Sequence, residues 1–190
     1  MSKQWLMVGG VVAGLVAGAA ILVKFTPEDV GVGINQVAPD YRAVNLASGD
    51  SVSLRDLGRG NVTLVNIWAT WCGPCREEMP SMQATYAALR DRGFRILAVS
   101  IDDGGDEKIR AFAQELGITF DLLHDASGRI QQVYQTTGVP ESFLLDREGR
   151  IIKRVIGAHD WSSAANRRLL ARSLGIPEDE VPAPATVSAR

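Results

Sequence analysis

The two cysteines of this chain lie in a Trp-Cys-Gly-Pro-Cys motif at residues 71–75, between a strand-like segment and a helix-like one. Val62 to Ala69 is an apolar run rich in β-branched residues, which predicts a strand covered on both faces. Gly73 to Arg90 has apolar residues at helical spacing, and Pro74 suits a first helical turn because an N–H there has no partner. A strand that passes directly into a helix at a cysteine pair constrains the fold more than any other feature of the sequence.

This placement predicts thiol–disulfide exchange. We expect Cys72 at the helix N-terminus, where unpaired backbone N–H groups and the helix dipole favour a thiolate and lower the thiol pKa. Cys75 follows one helical turn later, so it can resolve a mixed disulfide that Cys72 forms with a substrate. For the spacing alone, three other interpretations stay open: half of a metal site shared between two chains, an inert structural disulfide, and chance.

Composition argues against several other classes of protein. The chain has 190 residues, with 20 Lys plus Arg against 22 Asp plus Glu, which argues against a large basic surface and therefore against nucleic acid as a partner. Two cysteines are too few for a disulfide-scaffolded secreted domain or for a four-cysteine zinc site within one chain. The two histidines, His124 and His159, lie far apart in sequence and are expected at the surface or in loops. No cofactor and no bound metal ion is expected.

The segment from Trp5 to Val23 is apolar and is interrupted only by glycine. As a helix it would span about 28 Å, close to the thickness of the hydrocarbon core of a bilayer. We therefore predict that residues 1–24 form an N-terminal transmembrane anchor. A cleavable signal peptide is the competing interpretation, but the run is long for one, and its small residues, Gly18 to Ala20, are followed by further apolar residues.

Beyond the anchor we predict a linker at residues 25–34, a folded domain at residues 35–176 and a flexible tail at residues 177–190. A Ser-Gly-Asp turn predicts a β-hairpin of Tyr41–Leu46 with Ser51–Leu54. The other predicted strands are Phe94–Ile101, Ser142–Asp146 and Arg150–Ile156, and the other predicted helices are Gly105–Leu116, Gly128–Gln135 and Trp161–Leu174. This alternation predicts an α/β fold in which helices flank a mixed sheet.

Two motifs resemble those of a known family. Residues 61–80, NVTLVNIWATWCGPCREEMP, look like the active-site region of membrane-anchored thioredoxin-like proteins of the TlpA, ResA and CcmG type. Residues 138–152, GVPESFLLDREGRII, resemble the second signature of that family. The resemblance implies a thioredoxin-like fold with an N-terminal β-hairpin, a membrane anchor and an inserted central helix, for which Asp102 to His124 has the right position and length.

The resemblance also implies which residues form the site. Cys72 matches the nucleophilic cysteine of the family and Cys75 the resolving one, and Trp71 matches the aromatic residue beside them. Pro140 matches a proline whose peptide bond is cis in this superfamily and which faces the disulfide. Because a proline has no N–H to pair within a sheet, it would leave the backbone of Val139 free to pair with a bound substrate strand.

Glu78, three residues after Cys75, stands where ResA-like proteins carry an acidic residue near the cysteines. A partly buried carboxyl there would have a raised pKa and could move protons for Cys75. The alternative is an ordinary exposed helix residue, as we expect for Glu77. Asn66 stands where cytosolic thioredoxins carry a buried acid, which argues against their proton relay and fits an envelope protein.

The resemblance implies a protein disulfide reductase on the outer face of a bacterial cytoplasmic membrane. Its expected partners are disulfide-containing envelope proteins, namely apocytochrome c or a copper-assembly protein, and a membrane thiol reductant of the DsbD or CcdA kind. Two alternatives stay open. A redoxin-type peroxidase usually has Thr or Ser three residues before its reactive cysteine, where this chain has Ala69. A non-enzymatic copper-binding module could use both cysteines and one histidine, although known carriers of related fold have three residues between their cysteines.

Overall fold

The computed structural model describes residues 8, 10–15, 30–178 and 181. Residues 8 and 10–15, which belong to the predicted anchor, are helical and exposed, and the rest of the predicted anchor lies outside the described residues. Over the described ranges, no helix has the length and apolar character needed to cross a membrane.

Seven strands in the described part of the chain form one mixed sheet. They are β1 Arg42–Asn45, β2 Ser51–Ser53, β3 Val62–Trp68, β4 Phe94–Ser100, β5 Asp121–His124, β6 Glu141–Leu145 and β7 Ile151–Ile156. Their order across the sheet is β2-β1-β5-β4-β3-β6-β7. β3 runs parallel to β4 and antiparallel to β6, while β1 and β2 form the predicted hairpin. The predicted mixed sheet is therefore confirmed.

The helices follow the predicted order, with one additional helix at Leu54–Gly58 that was not predicted and one that is shorter than predicted. Between residues 30 and 178 they are α1 Leu54–Gly58, α2 Gly73–Leu89, α3 Asp106–Glu115, α4 Ile130–Val133 and α5 Ala164–Leu174, with a 3-10 turn at Arg90–Arg92. α3 lies within Asp102 to His124, the segment for which the resemblance implies an inserted helix. The predicted helix Gly128–Gln135 is only the single turn α4. β5 was not predicted, because four residues with Asp and His at the two ends show no clear alternation.

β3 lies inside the sheet between β4 and β6, and every residue in it is buried. Its side chains alternate between two hydrophobic clusters, as expected for the two faces of a sheet. Leu64 packs in the cluster that contains Met79 and Met82 of α2, and Val65 packs in the cluster that contains Phe143 of β6. Since burial of one such side chain contributes roughly 1.5–3 kcal/mol, the strand that leads to the cysteine pair is held from both sides.

The packed core also includes residues before and after 35–176. Val32 belongs to one of the two clusters and Val181 to the other. The N–H of Asn35 donates to the carbonyl oxygen of Ile151 at 2.8 Å, which attaches the incoming chain to β7. The described part of the predicted linker, residues 30–34, is thus packed on the domain.

Candidate active site

The cysteine pair lies where the carboxyl end of β3 turns into α2. Cys72 and Cys75 form a disulfide with an S–S distance of 2.11 Å and a Cα–Cα distance of 5.3 Å. Cys72 is the N-cap of α2, and its Sγ accepts a hydrogen bond of 3.1 Å from the N–H of Cys75. Cys72 is 5% exposed and Cys75 is fully buried. Cys72 is therefore the sulfur that a substrate can approach, as expected for the attacking cysteine.

The peptide bond between Val139 and Pro140 is cis and lies beside the disulfide. Cys72 Sγ is 3.6 Å from the carbonyl oxygen of Val139, so a reduced Cys72 thiol could donate to that oxygen. The structure thus brings Val139 and Pro140 together with the cysteines, as the resemblance implies.

The loop that carries this proline is held by a buried ion pair that sequence reasoning missed. Glu141 is fully buried, and its Oε1 accepts from Arg154 Nε at 2.6 Å. Its Oε2 accepts from the N–H of Thr137 at 3.0 Å, while Arg154 Nη2 donates to the carbonyl oxygen of Gln135 at 2.9 Å. The pair therefore fixes the loop at both of its ends. An acidic residue at the start of an otherwise apolar strand is the signal that could have revealed it.

Asp102, at the end of β4, holds the segment that leads to Cys72. Its carboxylate accepts from the N–H of Thr70 at 2.9 Å, from the Thr70 hydroxyl at 2.5 Å and from the Ser100 hydroxyl at 2.6 Å. Burial alone would raise the pKa of Asp102, but the hydrogen bonds from Ser100 and Thr70 outweigh it, and the pKa is lowered. Trp71, between Thr70 and Cys72, is 66% exposed, so its ring meets solvent next to Cys72.

Glu78 is the buried acid of the site and is 2% exposed. Its Oε1 accepts from Asn66 Nδ2 at 2.8 Å, and its Oε2 accepts from the main-chain N–H of His159 at 3.3 Å. Burial raises the pKa of Glu78 to about 7, against the opposing effects of Asn66, His159 and the Trp161 side chain. Trp161 Nε1 has no hydrogen-bond partner among the described residues. Both protonation states of Glu78 are therefore populated near neutral pH.

Asn66 connects Glu78 to the neighbouring strand. It is fully buried on β3, and its Nδ2 also donates to Ser142 Oγ of β6 at 2.9 Å. Its Oδ1 has no hydrogen-bond partner among the described residues. Glu77, the residue before Glu78, is exposed as expected, so two adjacent carboxyls of one helix have opposite environments.

His124 departs from the expectation of a surface or loop position, whereas His159 lies in the loop after β7, as expected. His124 is 8% exposed, with Nδ1 2.7 Å from Asp106 Oδ1 and Nε2 2.9 Å from the carbonyl oxygen of Asp102. His159 is half-buried, with Nε2 2.8 Å from Asn166 Nδ2. An isolated histidine carries no periodic pattern that could have revealed these contacts.

Arg76, which follows Cys75, is engaged with the inserted helix. It is exposed and binds both carboxylate oxygens of Glu115, at 2.6 and 3.2 Å. Its guanidinium carbon also lies 4.7 Å from the centre of the Phe112 ring. These contacts join the start of α2 to α3.

The described residues form no metal site at the cysteines, and the cavity that they line near α1 lies elsewhere. In the described residues, no group of three or more His, Cys, Asp or Glu side chains is arranged to hold a metal ion. A cavity lies near α1, and its lining includes Leu54, Thr63 and Leu145. Thr63 is at the amino end of β3, whereas the cysteines follow its carboxyl end, so this cavity is not part of the cysteine site.

Residues 34–154 of the chain match the AhpC/TSA family. The thiol-disulfide oxidoreductase ResA of Bacillus thuringiensis (strain Al Hakam) is 29% identical over 160 residues, which cover 83% of this chain and 91% of that protein. The thioredoxin-like protein YneN of Bacillus subtilis (strain 168) is 33% identical over 156 residues, which cover 80% of this chain and 88% of that protein. A crystal structure from Chlorobium tepidum, assigned as thiol:disulfide interchange protein DsbE, has a TM-score of 0.69 and 28% identity, and covers 76% of this chain and 100% of that one.

Proposed function

This chain belongs to the AhpC/TSA family and is a thiol-disulfide oxidoreductase with a thioredoxin-like fold, and from this premise we propose that it reduces disulfide bonds in proteins of the cell envelope. The observation that carries the proposal is the asymmetry of the cysteine pair. Cys72 caps a helix beside the cis-proline loop, while Cys75 is fully buried one turn before Glu78, whose pKa is about 7. A buried second thiol with a proton acceptor nearby suits a resolving cysteine.

The reaction begins with the reduced pair. The thiolate of Cys72, stabilised by the N–H groups at the start of α2, attacks one sulfur of the substrate disulfide. A disulfide between Cys72 and the substrate forms, the S–S bond of the substrate breaks, and the second substrate sulfur leaves as a thiolate that takes up a proton.

Cys75 must then lose its proton although it is buried. The carboxylate of Glu78 accepts this proton, and the Cys75 thiolate attacks Cys72 Sγ. The Cys72–Cys75 disulfide forms, the mixed disulfide breaks and the reduced substrate leaves. Two electrons have then passed from the protein to its substrate. A membrane thiol reductant of the DsbD or CcdA kind returns them, so that the pair becomes a dithiol again.

The substrate lies against the backbone of Val139 and the ring of Trp71. The carbonyl oxygen of Val139 is 3.6 Å from Cys72 Sγ, so an extended segment around the substrate cysteine can pair with this backbone. The ring of Trp71, 66% exposed, adds apolar surface on the approach to the sulfur. Main-chain pairing with Val139 and contact with the ring of Trp71 do not require particular side chains in the substrate. Apocytochrome c or a copper-assembly protein is the substrate that the family resemblance favours.

The domain is held at the outer face of the cytoplasmic membrane by residues 1–24. The apolar run from Trp5 to Val23 has the length of a membrane span, and Lys3 favours a cytoplasmic amino terminus. Outside the cytoplasm disulfides form readily, so a reductase there needs its own supply of electrons. This requirement supports a membrane reductant as the second partner.

A peroxidase is the weaker candidate within the same family. Ala69 has no hydroxyl, and the hydroxyl of Thr70 donates to Asp102 at 2.5 Å. The two residues before Trp71 therefore offer no hydroxyl to assist peroxide at Cys72. Consumption of peroxide that persists in a Cys75→Ser variant would reverse this preference.

Trapping of substrates tests the proposed function. In Cys75→Ser the mixed disulfide on Cys72 cannot be resolved, so we expect covalent adducts with cysteine-pair proteins of the envelope, released by dithiothreitol and identified by mass spectrometry. The double variant Cys72→Ser/Cys75→Ser is the control and should capture nothing. Adducts confined to cytosolic proteins, or no adducts at all, would contradict the proposal.

A further inference from the structure

A polar cluster that the steps described above do not use lies behind Glu78. Residues 157–161 form the loop that follows β7, and the main-chain N–H of His159 in this loop donates to Glu78 Oε2 at 3.3 Å. The other oxygen of the carboxyl is bound by Asn66 at 2.8 Å. Loop 157–161 thus supplies one of two hydrogen bonds that favour the ionised form of Glu78.

On its front side the loop is attached to α2 and to the cis proline. Ser81 Oγ of α2 accepts from the N–H of Trp161 at 3.1 Å and lies 3.3 Å from the carbonyl oxygen of His159. The N–H of Gly157 donates to the carbonyl oxygen of Pro140 at 2.9 Å. Loop 157–161 therefore contacts both elements that surround the disulfide.

On its rear side the loop is held by Asn166 of α5, which is 1% exposed. Asn166 Nδ2 donates to the carbonyl oxygen of Asp160 at 2.6 Å and to His159 Nε2 at 2.8 Å, and its Oδ1 accepts from Lys153 Nζ at 2.7 Å. An ammonium group can only donate and a carbonyl can only accept, so this amide fits in one orientation. Lys153 Nζ lies a further 3.2 Å from His159 Nε2, which makes Nε2 the acceptor nitrogen of the ring.

We propose that Asn166, oriented by Lys153, is a positioning residue of the active site: it holds loop 157–161 so that the His159 N–H stays on the Glu78 carboxyl. This inference rests on the proposed function, because it gives Glu78 its importance as the proton acceptor for Cys75. In the part of the chain that the structure describes, the titratable groups on the elements around the carboxyl are His159 in the loop and Lys153 of β7, which contacts His159, while Cys75 of α2 titrates only when the disulfide is reduced. Asn66 on β3, with Ser142 of β6, is uncharged.

The cluster is tested by a substitution that changes no charge. Asn166→Leu keeps a similar side-chain volume but removes the donors to Asp160 and His159, so the loop loses its rear attachment. Without the His159 N–H the carboxylate of Glu78 is less favoured, and its titration midpoint should rise by about 0.5–1 pH unit. The midpoint is read from the Glu78 carboxyl carbon by ¹³C NMR in the disulfide form. Leu174→Ala, at the far end of α5, loosens packing without touching the cluster and should leave the midpoint unchanged.

A second measurement uses the wild-type chain and does not depend on a folded variant. The main-chain amide resonance of His159 and the side-chain amide resonance of Asn166 should titrate with the same midpoint as the Glu78 carboxyl. In Glu78→Gln the step at the Glu78 midpoint should disappear from both resonances. A shared midpoint reports the contacts that link Glu78 to Asn166 through loop 157–161. A residue that only stabilises the fold would not show it.

Two results would overturn the positioning role of Asn166. One is a Glu78 midpoint in Asn166→Leu that equals the midpoint in the wild type and in Leu174→Ala. The other is a His159 amide resonance that does not change as Glu78 titrates. Failure of the proposed function looks different. If Glu78 is not the proton acceptor for Cys75, the Glu78→Gln variant resolves its mixed disulfide at the wild-type rate and with the wild-type pH profile. In that case the NMR midpoints of the wild type and of Asn166→Leu still show whether Asn166 positions the loop.

Discussion

At the scale of the single residue, burial raises the pKa of Glu78 and so decides when this acid is ionised. Removing a carboxylate from water costs free energy, and the hydrogen bonds from Asn66 and His159, the latter at 3.3 Å, offset only part of that cost. The acid therefore keeps its proton up to about pH 7. A group with this pKa can take a proton from a buried thiol and release it again close to neutral pH.

Substitution of Glu78 should change how stability depends on pH. Its pKa of about 7 in the folded protein lies above the ordinary value of 4.5, so the folded state holds the proton more tightly. The free energy of unfolding of the wild-type disulfide form should therefore fall as pH rises through this window, by at most about 3 kcal/mol, and stay level above it. In Glu78→Gln this fall should disappear, as measured by urea denaturation at pH 5 and pH 8. The matched control Glu77→Gln should retain the fall, and a fall that persists in Glu78→Gln would contradict burial as its cause.

Trp71 should act on substrate binding and not on folding. Because its ring is 66% exposed, Trp71→Ala should leave the free energy of unfolding nearly unchanged but raise KM for insulin reduction several-fold. The rate with a small disulfide such as oxidised glutathione should change little, since that substrate makes few contacts beyond the sulfur. Ile34→Ala, a truncation of another exposed apolar residue at 55% exposure, is the control and should alter neither rate. Equal losses with insulin and with glutathione would argue against a docking role.

At the scale of elements, two buried carboxylates at strand ends hold the cysteine loop and the proline loop in place. Asp102, after β4, binds Thr70 on the approach to Cys72. Glu141, the first residue of β6, binds Arg154 of β7 and fixes the loop before Pro140. Both carboxylates are buried and fully engaged, so the two loops are held in place before a substrate binds.

Loss of the Asp102 carboxylate should weaken both the fold and the reaction. Asp102→Ala leaves the N–H and hydroxyl of Thr70 and the hydroxyl of Ser100 without their acceptor, which should cost about 2–4 kcal/mol of unfolding free energy. The rate of insulin reduction should fall as the segment before Cys72 loosens. Asp103→Ala removes the adjacent, exposed carboxyl and should change neither quantity. Similar urea midpoints for the two variants would show that Asp102 does not hold this segment.

The elements that were predicted from sequence are those with a strong local pattern. The apolar run of β3, the helical spacing of α2 and the cysteine motif between them are local, and the cysteine site follows from their order. β5 has four residues and gains its hydrogen bonds from β4 and β1, which no local pattern reveals. The partners of Glu78 lie 12 and 81 residues away in sequence, so its position could be predicted but not its two hydrogen bonds.

At the scale of the whole molecule, the chain enters the sheet at the end opposite the cysteines. Asn35 binds the backbone of Ile151, and Ile151 pairs with Leu145 at the end of β6. The cis proline and the disulfide lie at the other end of β6, which begins at Glu141. If residues 1–24 hold the chain at a membrane, this arrangement turns the reactive sulfur away from the point of attachment and towards soluble partners.

Removal of residues 1–29 should separate location from chemistry. The core of the described residues begins at Val32, so the shortened chain keeps all of that core and should reduce insulin at the rate of the full chain. In cell fractionation the full chain should be found with the membranes and the shortened chain, exported by a cleavable signal, in the soluble envelope fraction. The signal-peptide interpretation would be supported instead if cells that express the full-length gene yield a soluble protein from which the amino-terminal segment has been cleaved.

The reduction potential of the Cys72–Cys75 couple tests the central claim most directly. The purified chain is equilibrated in dithiothreitol buffers of defined ratio, and the fraction of dithiol is measured by alkylation and mass spectrometry. The Gly-Pro pair between the cysteines is that of thioredoxin, so we expect a potential near the thioredoxin value of about −270 mV, as a protein disulfide reductase requires. A potential near about −120 mV, the value of the strong oxidant DsbA, would contradict the account.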